Sequence, residues 1–253
     1  MKSSLKLLHL NIFCGRCIDK VISFINEMQF DIVHLQEVSR GSFSYTHADC
    51  FEEVKRRTGL NGEMVVNWIH KGKEGGQFGN ATFFKKSLLL KEQIHLYFRP
   101  PIEIDPENYP IYEHPKGALF LLLETKGKSF WCINTHLAWG PTPFDEPYKI
   151  EESQKLSQKI GTLKQPFILS GDFNVVPDTQ VVKLLEAHGC NVTRKYGITN
   201  TLDSNLHKAK HLFPAGLAVD FVITHPTIEV IDLKKVDYTT LSDHIGLILH
   251  FDF

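Results

Sequence analysis

The stretch "PFILSGDFNVVPD", Pro166–Asp178, opens with an apolar run, Phe167-Ile168-Leu169, that stops at Gly171-Asp172, with Asn174 two positions further on. Side chains alternate faces along a strand, so a carboxylate and an amide two apart leave an extended chain on the same side. The design recurs along the chain. "LLHLN" ends on Asn11, "VHLQE" on Glu37, and "FWCINTH" on His136, in phase with Cys132 and Asn134. "AVD" sets Asp220 beside an apolar run, and "LSDH" sets Asp243 and His244 just before "IGLILHF". Singly, each is an ordinary turn former, helix cap or structural histidine. As a set they are acids, amides and imidazoles at the ends of core strands.

Gathering Glu37, Asp172 and Asp243 without a counter-ion is costly, since two carboxylates ~4 Å apart repel by about 4 kcal/mol at an effective dielectric near 20. A divalent cation removes that penalty. Hard oxygen ligands suit Mg²⁺, which keeps several waters and takes substrate phosphate oxygens. An Asp–His pair, here Asp220 with His244, fixes the imidazole tautomer and stabilises its charged form. These parts suit attack on a phosphate ester.

The elements that must position them follow from periodicity. Leu5–Phe13 reads as a strand, and "DKVISFINEM" as a helix with Val21, Ile22, Ile25 and Met28 on one side. "DIVHLQEV" is a second strand, and "DCFEEVKRRTG" a short helix stopped by Gly59. From Glu63 to Glu124 the pattern is mostly strands, and "LFLLLETKGKSFWCINTH" is a hairpin about Lys126-Gly127-Lys128. Pro141–Pro147 is a loop and Tyr148–Leu163 a helix. "DTQVVKLLEAHG" reads as a helix capped by Asp178 and stopped by Gly189. "AVDFVIT", "IEVIDLKKV" and "IGLILHF" are closing strands. Runs of strands with a few helices between them predict two packed, mostly antiparallel β-sheets with helices outside. No repeat, low-complexity tract or linker divides residues 1–253, which read as one domain.

At 253 residues and 42% hydrophobic, the chain can bury a large core. A formal net charge of −1 disfavours sequence-independent coating of nucleic acid and leaves open a local basic groove. Five cysteines without a disulfide-like framework point to a reducing compartment. No run approaches the ~18 apolar residues of a membrane span. "MKSSLKLLHLNIF" looks like a first strand and not a signal peptide. The expectation is a cytoplasmic protein, by default a monomer.

In order, "HLNIF", "LQEV", "NTHL", "SGDFNVVPD", "VDFV" and "LSDH" resemble the motif series of the endonuclease/exonuclease/phosphatase superfamily, which holds the DNase I-like and exonuclease III-like enzymes. The resemblance spans residues 9 to 244; "GDFN" followed by a C-terminal "SDH" is its specific part. It implies a four-layer α/β sandwich and Mg²⁺-dependent hydrolysis of a phosphodiester or phosphomonoester, with Mn²⁺ as a substitute. Carried over, Glu37 would bind the metal with Asn11 close by, and Asp243 would support the metal or its waters. Asp172 would position or deprotonate the attacking water, with Asn174 orienting the phosphate or the metal shell. His136 and His244 would contact phosphate oxygens, and Asp220 would orient His244. The general base is Asp172 or the Asp220–His244 pair; the family has been read both ways.

The substrate is less legible. In "AWGPTPFDEP", Trp139 and Phe144 would stack on a base or pack on the loop's own prolines, while Asp145 and Glu146 would oppose a long polyanion. Phe213 and Leu217 would line an apolar pocket beside the scissile group. Asn80 resembles a family position near the site and is a candidate phosphate contact; Lys116 reads first as a solvated lysine at a strand start, with a lean towards a phosphate as the lesser alternative. "KGKEGGQFGN" reads as a hairpin loop and not a nucleotide-binding loop. A phosphodiester, with nucleic acid first, is the leading substrate; a phosphomonoester or a lipid or inositol phosphate is the alternative. Two remote readings are a thiol redox protein using Cys14 and Cys17, and a non-catalytic scaffold.

Overall fold

The computed structural model describes residues 4–41, 49–72, 76–208, 213, 216–238 and 240–253. The first strand, β1 (Leu5–Asn11), alternates strictly. Leu8 and Leu10 pack outward with Val21, Ile22 and Ile25 of α1 (Ile18–Met28), while Leu7 faces the opposite way into a second apolar layer. His9 and Asn11, in phase with Leu7, are equally buried. Each such Leu, Ile or Phe contributes about 1.5–3 kcal/mol by leaving water.

Among the described residues the strands form two sheets. In the first the order is β12 (Glu229–Lys235), β13 (Leu247–Asp252), β1, β2 (Ile32–Arg40), β4 (Gln77–Phe84), β3 (Asn61–His70) and β6 (Glu103–Ile104). In the second it is β10 (Cys190–Asn191), β11 (Asp220–Thr224), β9 (Phe167–Asp172), β8 (Lys128–His136), β7 (Gly117–Thr125) and β5 (Leu89–Tyr97). Pairing is antiparallel except for β1/β2, β3/β6 and β8/β9. The predicted hairpin joins β7 to β8, with Lys126 and Gly127 both at positive φ, as a two-residue turn between twisted strands requires.

Three apolar layers hold four layers of structure together. The outer face of the first sheet packs on α1 and α2 (Cys50–Thr58) through Leu35, Phe51, Val54 and Phe83. The outer face of the second packs on α3 (Pro147–Ile160) and α4 (Gln180–Glu186) through Ile133, Leu156, Leu169 and Leu185. Between the sheets lie Leu7, Ile32, Leu121, Ile168, Val222 and Phe251. This is the expected four-layer α/β sandwich. No helix among the described residues is long and apolar enough to cross a membrane.

Local expectations shift in three places. Thr179, not Asp178, caps α4, accepting from the Val182 N–H, because Asp178 turns outward to Arg194 at 3.0 Å. The helix ends at Glu186, short of Gly189. Asp145 accepts from the Gln180 and Val181 N–H groups, so it satisfies the orphan donors of that helix start. The loop joining β3 to β4 is where the glycine-rich hairpin was expected; residues 73–75 within it lie outside the described residues. The short elements β6, β10 and α5 (Val192–Lys195) carry too few residues to show a period.

Candidate active site

The layer between the sheets changes character along the strands. Past Ile32, Cys132, Ile168 and Val222, the inward positions become His34, Asn134, Ser170 and Asp220, all buried. Buried polar groups are costly unless paired, and here most pair with one another across the sheets. His34 Nδ1 meets Ser170 Oγ at 2.8 Å. Asn134 donates to the Leu35 and Ala81 carbonyls, which fixes its amide and leaves Oδ1 to accept from Gln36 Nε2 at 2.6 Å. Gln36 Nε2 also lies 3.3 Å from His9 Nδ1, so that ring nitrogen accepts and His9 Nε2 carries the proton. His9 Nε2 then donates to Asp220 Oδ1 at 2.9 Å.

At the end of this network stands Asp172. It pairs in register with His136 of β8 on one side and Asp220 of β11 on the other. Its Oδ2 accepts from Asn11 Nδ2 at 3.0 Å and lies 3.5 Å from His136 Nε2 and 3.6 Å from His244 Nε2. Its Oδ1 accepts from the Asn174 N–H at 3.0 Å. That last bond departs from the strand expectation. The chain does not stay extended to Asn174, which sits at φ 54°, a left-handed conformation that asparagine tolerates. Its side chain donates to the Leu137 carbonyl at 3.0 Å.

Asp220 takes His9 on one oxygen and His244 Nδ1 on the other, both at 2.9 Å. Burial by itself would strip the charge from His244, but the Asp220 and Asp172 carboxylates overcome it and raise the imidazole to about 10. Burial also opposes ionisation of Asp220, yet the His244 charge and both imidazole hydrogen bonds hold it well below the usual carboxylate range. Asp172 moves the other way: burial first, then the charge on Asp220, push it up to about 6. His136 falls well below the ordinary histidine value through burial and then the positive charges of Lys116 and His244, so it is a neutral ring.

Glu37 reaches the site by a different device. Between Leu35, opposite Ala81, and Val38, opposite Gly79, β2 carries a bulge in which Gln36 and Glu37 together face Asn80. Strict alternation would send Glu37 outward with Leu35. The extra residue, with Glu37 at φ 59°, turns it to Asn11 Nδ2 at 3.2 Å and Cys14 Sγ at 3.1 Å. A non-glycine residue held there stores of order 1–3 kcal/mol of strain. Asn11 thus bridges Glu37 and Asp172 through its amide nitrogen, while its oxygen accepts from the Phe13 N–H at 3.0 Å. As placed, Asn11 presents N–H groups and no ligand oxygen to the site.

Asp243 is buried with its Oδ1 accepting from Ser242 Oγ at 3.2 Å; burial and the charge of Glu37 raise it to about 6. Glu37 and Asp243, close enough for the charge of one to act on the other, offer hard carboxylate oxygens, the donors a divalent cation such as Mg²⁺ takes. These residues therefore fit such an ion. Among the described residues, ligand atoms also come within 4.8 Å of one another in the sets Asp172/Asp220/His244 and His207/Asp243/His244. The first is already satisfied as an ion pair, since both Asp220 oxygens are taken by imidazoles.

Residues 8–244 match the sequence profile described as "Endonuclease/Exonuclease/phosphatase family". The chain belongs to the endonuclease/exonuclease/phosphatase family. Its members hydrolyse phosphate esters, and this chain is a phosphoesterase of that family. A comparison with curated proteins finds no match. Solved structures share the fold at low identity. An endonuclease/exonuclease/phosphatase from Bacteroides vulgatus has TM-score 0.77 and 17% identity, covering 100% of both chains. A mannosyl-6-phosphatase of Bacteroides thetaiotaomicron has TM-score 0.71 and 17% identity, covering 98% of this chain and 100% of that one. TDP2 of D. rerio, complexed with single strand DNA product, has TM-score 0.75 and 16% identity, covering 99% and 100%.

Of the expected site residues in this phosphoesterase, Asn11, Glu37, His136, Asp172, Asn174, Asp220 and His244 join one cluster of hydrogen bonds and close polar contacts. Asp243 couples to it through the charges of His244 and Glu37. The peripheral residues stand apart. Trp139 and Phe144 are exposed on the loop after β8. Phe213 and Leu217 line a depression with Leu202 and His207, and the His207 ring lies 6.2 Å from that of His244. Asn80 is buried and donates to the Gly117 carbonyl at 3.0 Å. The expectation for Lys116 is overturned: it is 7% exposed, with Nζ 3.3 Å from both ring nitrogens of His136. Buried Lys149 donates to the carbonyls of Thr142, Phe144 and Asn174, tying the loop to the turn that carries Asn174. Sequence reasoning missed His9, whose inward phase with Asn11 was the available signal. It also missed Gln36 and His207.

Proposed function

We propose that this chain is a Mg²⁺-dependent phosphodiesterase, with Mn²⁺ as a substitute, and that nucleic acid is its first substrate class. The observation that carries the reading is Asp172 lodged between His136 and Asp220, with His244 Nε2 3.6 Å from its oxygen. The Asp220 and Asp172 carboxylates favour the charged form of His244, so this reading assigns it as a donor and Asp172 as the base. Asp172, at about 6, is ionised near pH 7 and close enough in basicity to take a proton. In this reading Asp172 removes a proton from the attacking water. The new P–O bond forms, the ester P–O bond breaks, and the departing oxygen is protonated by solvent. His244 donates to a non-bridging oxygen and stabilises its developing charge, and neutral His136 donates a second hydrogen bond. Asp220, gripped by His9, holds His244 in orientation. Asn174 and Asn11 keep the Asp172 oxygens aimed.

Glu37 and Asp243 would hold the ion, which when bound supplies Lewis-acid neutralisation of the phosphoryl charge. Exposed Trp139 and Phe144 beside the strand end of His136 support a substrate with a stacking base. Residues 1–253 are read as one catalytic domain, monomeric, and the free cysteines suit a reducing compartment such as the cytoplasm. The test is a panel of single- and double-stranded DNA, RNA, nucleotides, inositol phosphates and sphingomyelin, each with Mg²⁺ or Mn²⁺ and with Glu37→Gln as control. Cleavage of a nucleic acid that requires the metal and Glu37 supports the reading. Phosphate release from small monoesters alone, or activity that survives EDTA, overturns it.

A further inference from the structure

Two lysines are buried near the site, and they differ in what they touch. Lys149 Nζ is satisfied by oxygens, at 2.8 Å from Thr142, 3.1 Å from Asn174 and 3.4 Å from Phe144. Lys116 Nζ has no oxygen acceptor among the described residues and no carboxylate within 4.0 Å; its neighbours are Nδ1 and Nε2 of His136, both at 3.3 Å. An ammonium has three donors and a neutral imidazole offers one lone pair, so at least two N–H groups are left over. Removing an ammonium from water without compensation is costly, and a fold that retains one there has left a place for an anion.

The backbone beneath Lys116 is held on several sides. The Phe98 N–H donates to the Lys116 carbonyl at 3.0 Å, and Asn80 Nδ2 and Thr135 Oγ1 donate to the next carbonyl, Gly117, at 3.0 and 3.3 Å. A Cβ at position 117 would sit 2.7 Å from the Leu96 carbonyl oxygen, so only glycine lets the chain pass close enough to β5 to aim Lys116 inward. The charge is sustained at longer range. Burial lowers the ammonium, and Glu37 and Asp172 work against that loss. Lys116 therefore bears on the same group of acids as His244, from the other flank of His136.

We propose that Lys116 is a catalytic residue of this site: its ammonium takes a non-bridging oxygen of the substrate's phosphoryl group beside His136. The proposal rests on the phosphoesterase reading above and deepens it, because it gives the phosphoryl group a second protein cation besides His244. It also makes Asn80 a positioning residue for Lys116 through the Gly117 carbonyl, in place of the direct phosphate contact expected of it.

Inorganic phosphate serves as the probe. Wild type, Lys116→Met and Lys116→Arg are compared for inhibition of turnover by phosphate, and for the rise in unfolding temperature that phosphate produces with Mg²⁺ present. Loss of one charge-assisted contact should weaken phosphate inhibition by roughly 10- to 100-fold in the methionine variant. The thermal shift should be lost with it, and arginine should restore part of both. Without phosphate, the methionine variant should melt no lower than wild type, because it removes an unpaired buried charge. Wild-type inhibition and shift retained in Lys116→Met would overturn the proposal. So would a lowered melting temperature that arginine restores without restoring phosphate binding, since that is the mark of a structural ammonium. The thermal shift needs no turnover, so failure of Lys116 is separable from failure of the enzymatic reading.

Discussion

Asp172 and Asp220 face each other in register across β9 and β11, both fully buried, yet their carboxyl groups move in opposite directions. The cause is their donors. Asp220 receives two imidazoles, one of them charged, whereas Asp172 receives an amide and a backbone N–H and feels the charge of its partner. Paired carboxyl groups whose environments drive them apart divide the work: one remains an anion and the other handles a proton.

Asp172→Asn should therefore lower kcat by about 10²- to 10⁴-fold, the range for losing a general base. Its melting temperature should match or exceed wild type, because burial already opposes this charge. Steady-state kinetics beside thermal unfolding checks both; near-wild-type kcat would remove Asp172 from the proton-transfer role.

The His244 imidazole is raised from an ordinary 6.5 to about 10, so the folded state holds that proton more tightly than the unfolded chain. Its contribution to stability is complete below pH 6.5 and is lost as pH rises through about 10. The melting temperature of metal-free wild type should fall between pH 7 and pH 10.5 by more than that of His244→Gln. Parallel curves for the two proteins would contradict the ion pair with Asp220.

Chelation should abolish activity and Mg²⁺ or Mn²⁺ should restore it. In Glu37→Gln the metal concentration for half-maximal activity should rise by at least about tenfold, as for loss of one charged interaction. A metal titration of activity reads this directly, and an unchanged half-point would exclude Glu37 as a ligand.

Gly79 lies across from the bulge that turns Glu37. A Cβ there would stand 1.9 Å from the Val65 carbonyl oxygen, a backbone atom that cannot swing aside. Gly79→Ala should cost a few kcal/mol, on the scale of overpacked core positions, about 1–3 kcal/mol. It should also weaken metal activation, although Gly79 touches no ligand. Denaturant unfolding and the same metal titration test the pair of effects together.

Trp139→Ala should raise KM for single-stranded nucleic acid with little change in kcat, since stacking is worth roughly 1–3 kcal/mol per base. Equal KM values in the two proteins would mean that Trp139 does not hold a base.

Much of this site was legible wherever strand alternation held. His136 and Asp220 sit at inward positions of unbroken strands, and Asp172 closes a third, so phase and apolar neighbours were enough. The same rule fails for Glu37, because alternation directs Gln36 inward and Glu37 outward, and only the bulge against β4 turns Glu37 back. Asn174 was grouped with Asp172 for the right proximity but the wrong reason: a left-handed turn brings it back, not an extended chain. Lys116 was misread because its burial depends on β5 and on Asn80, contacts between segments far apart in sequence. Thr179 displaced Asp178 at the α4 cap because both are good cap residues, and a remote partner, Arg194, drew one of them away.

Lys149 joins the exposed Trp139–Phe144 loop to the turn bearing Asn174 through a single ammonium and three carbonyls. In the proposed reading, recognition and chemistry are mechanically tethered at that point. Any attempt to graft a different loop between β8 and α3, in order to redirect the enzyme to a new substrate, must carry a compatible lysine and its carbonyl spacing. A graft that keeps the helix but loses those acceptors would leave a stranded charge and loosen the reaction centre it was meant to leave alone.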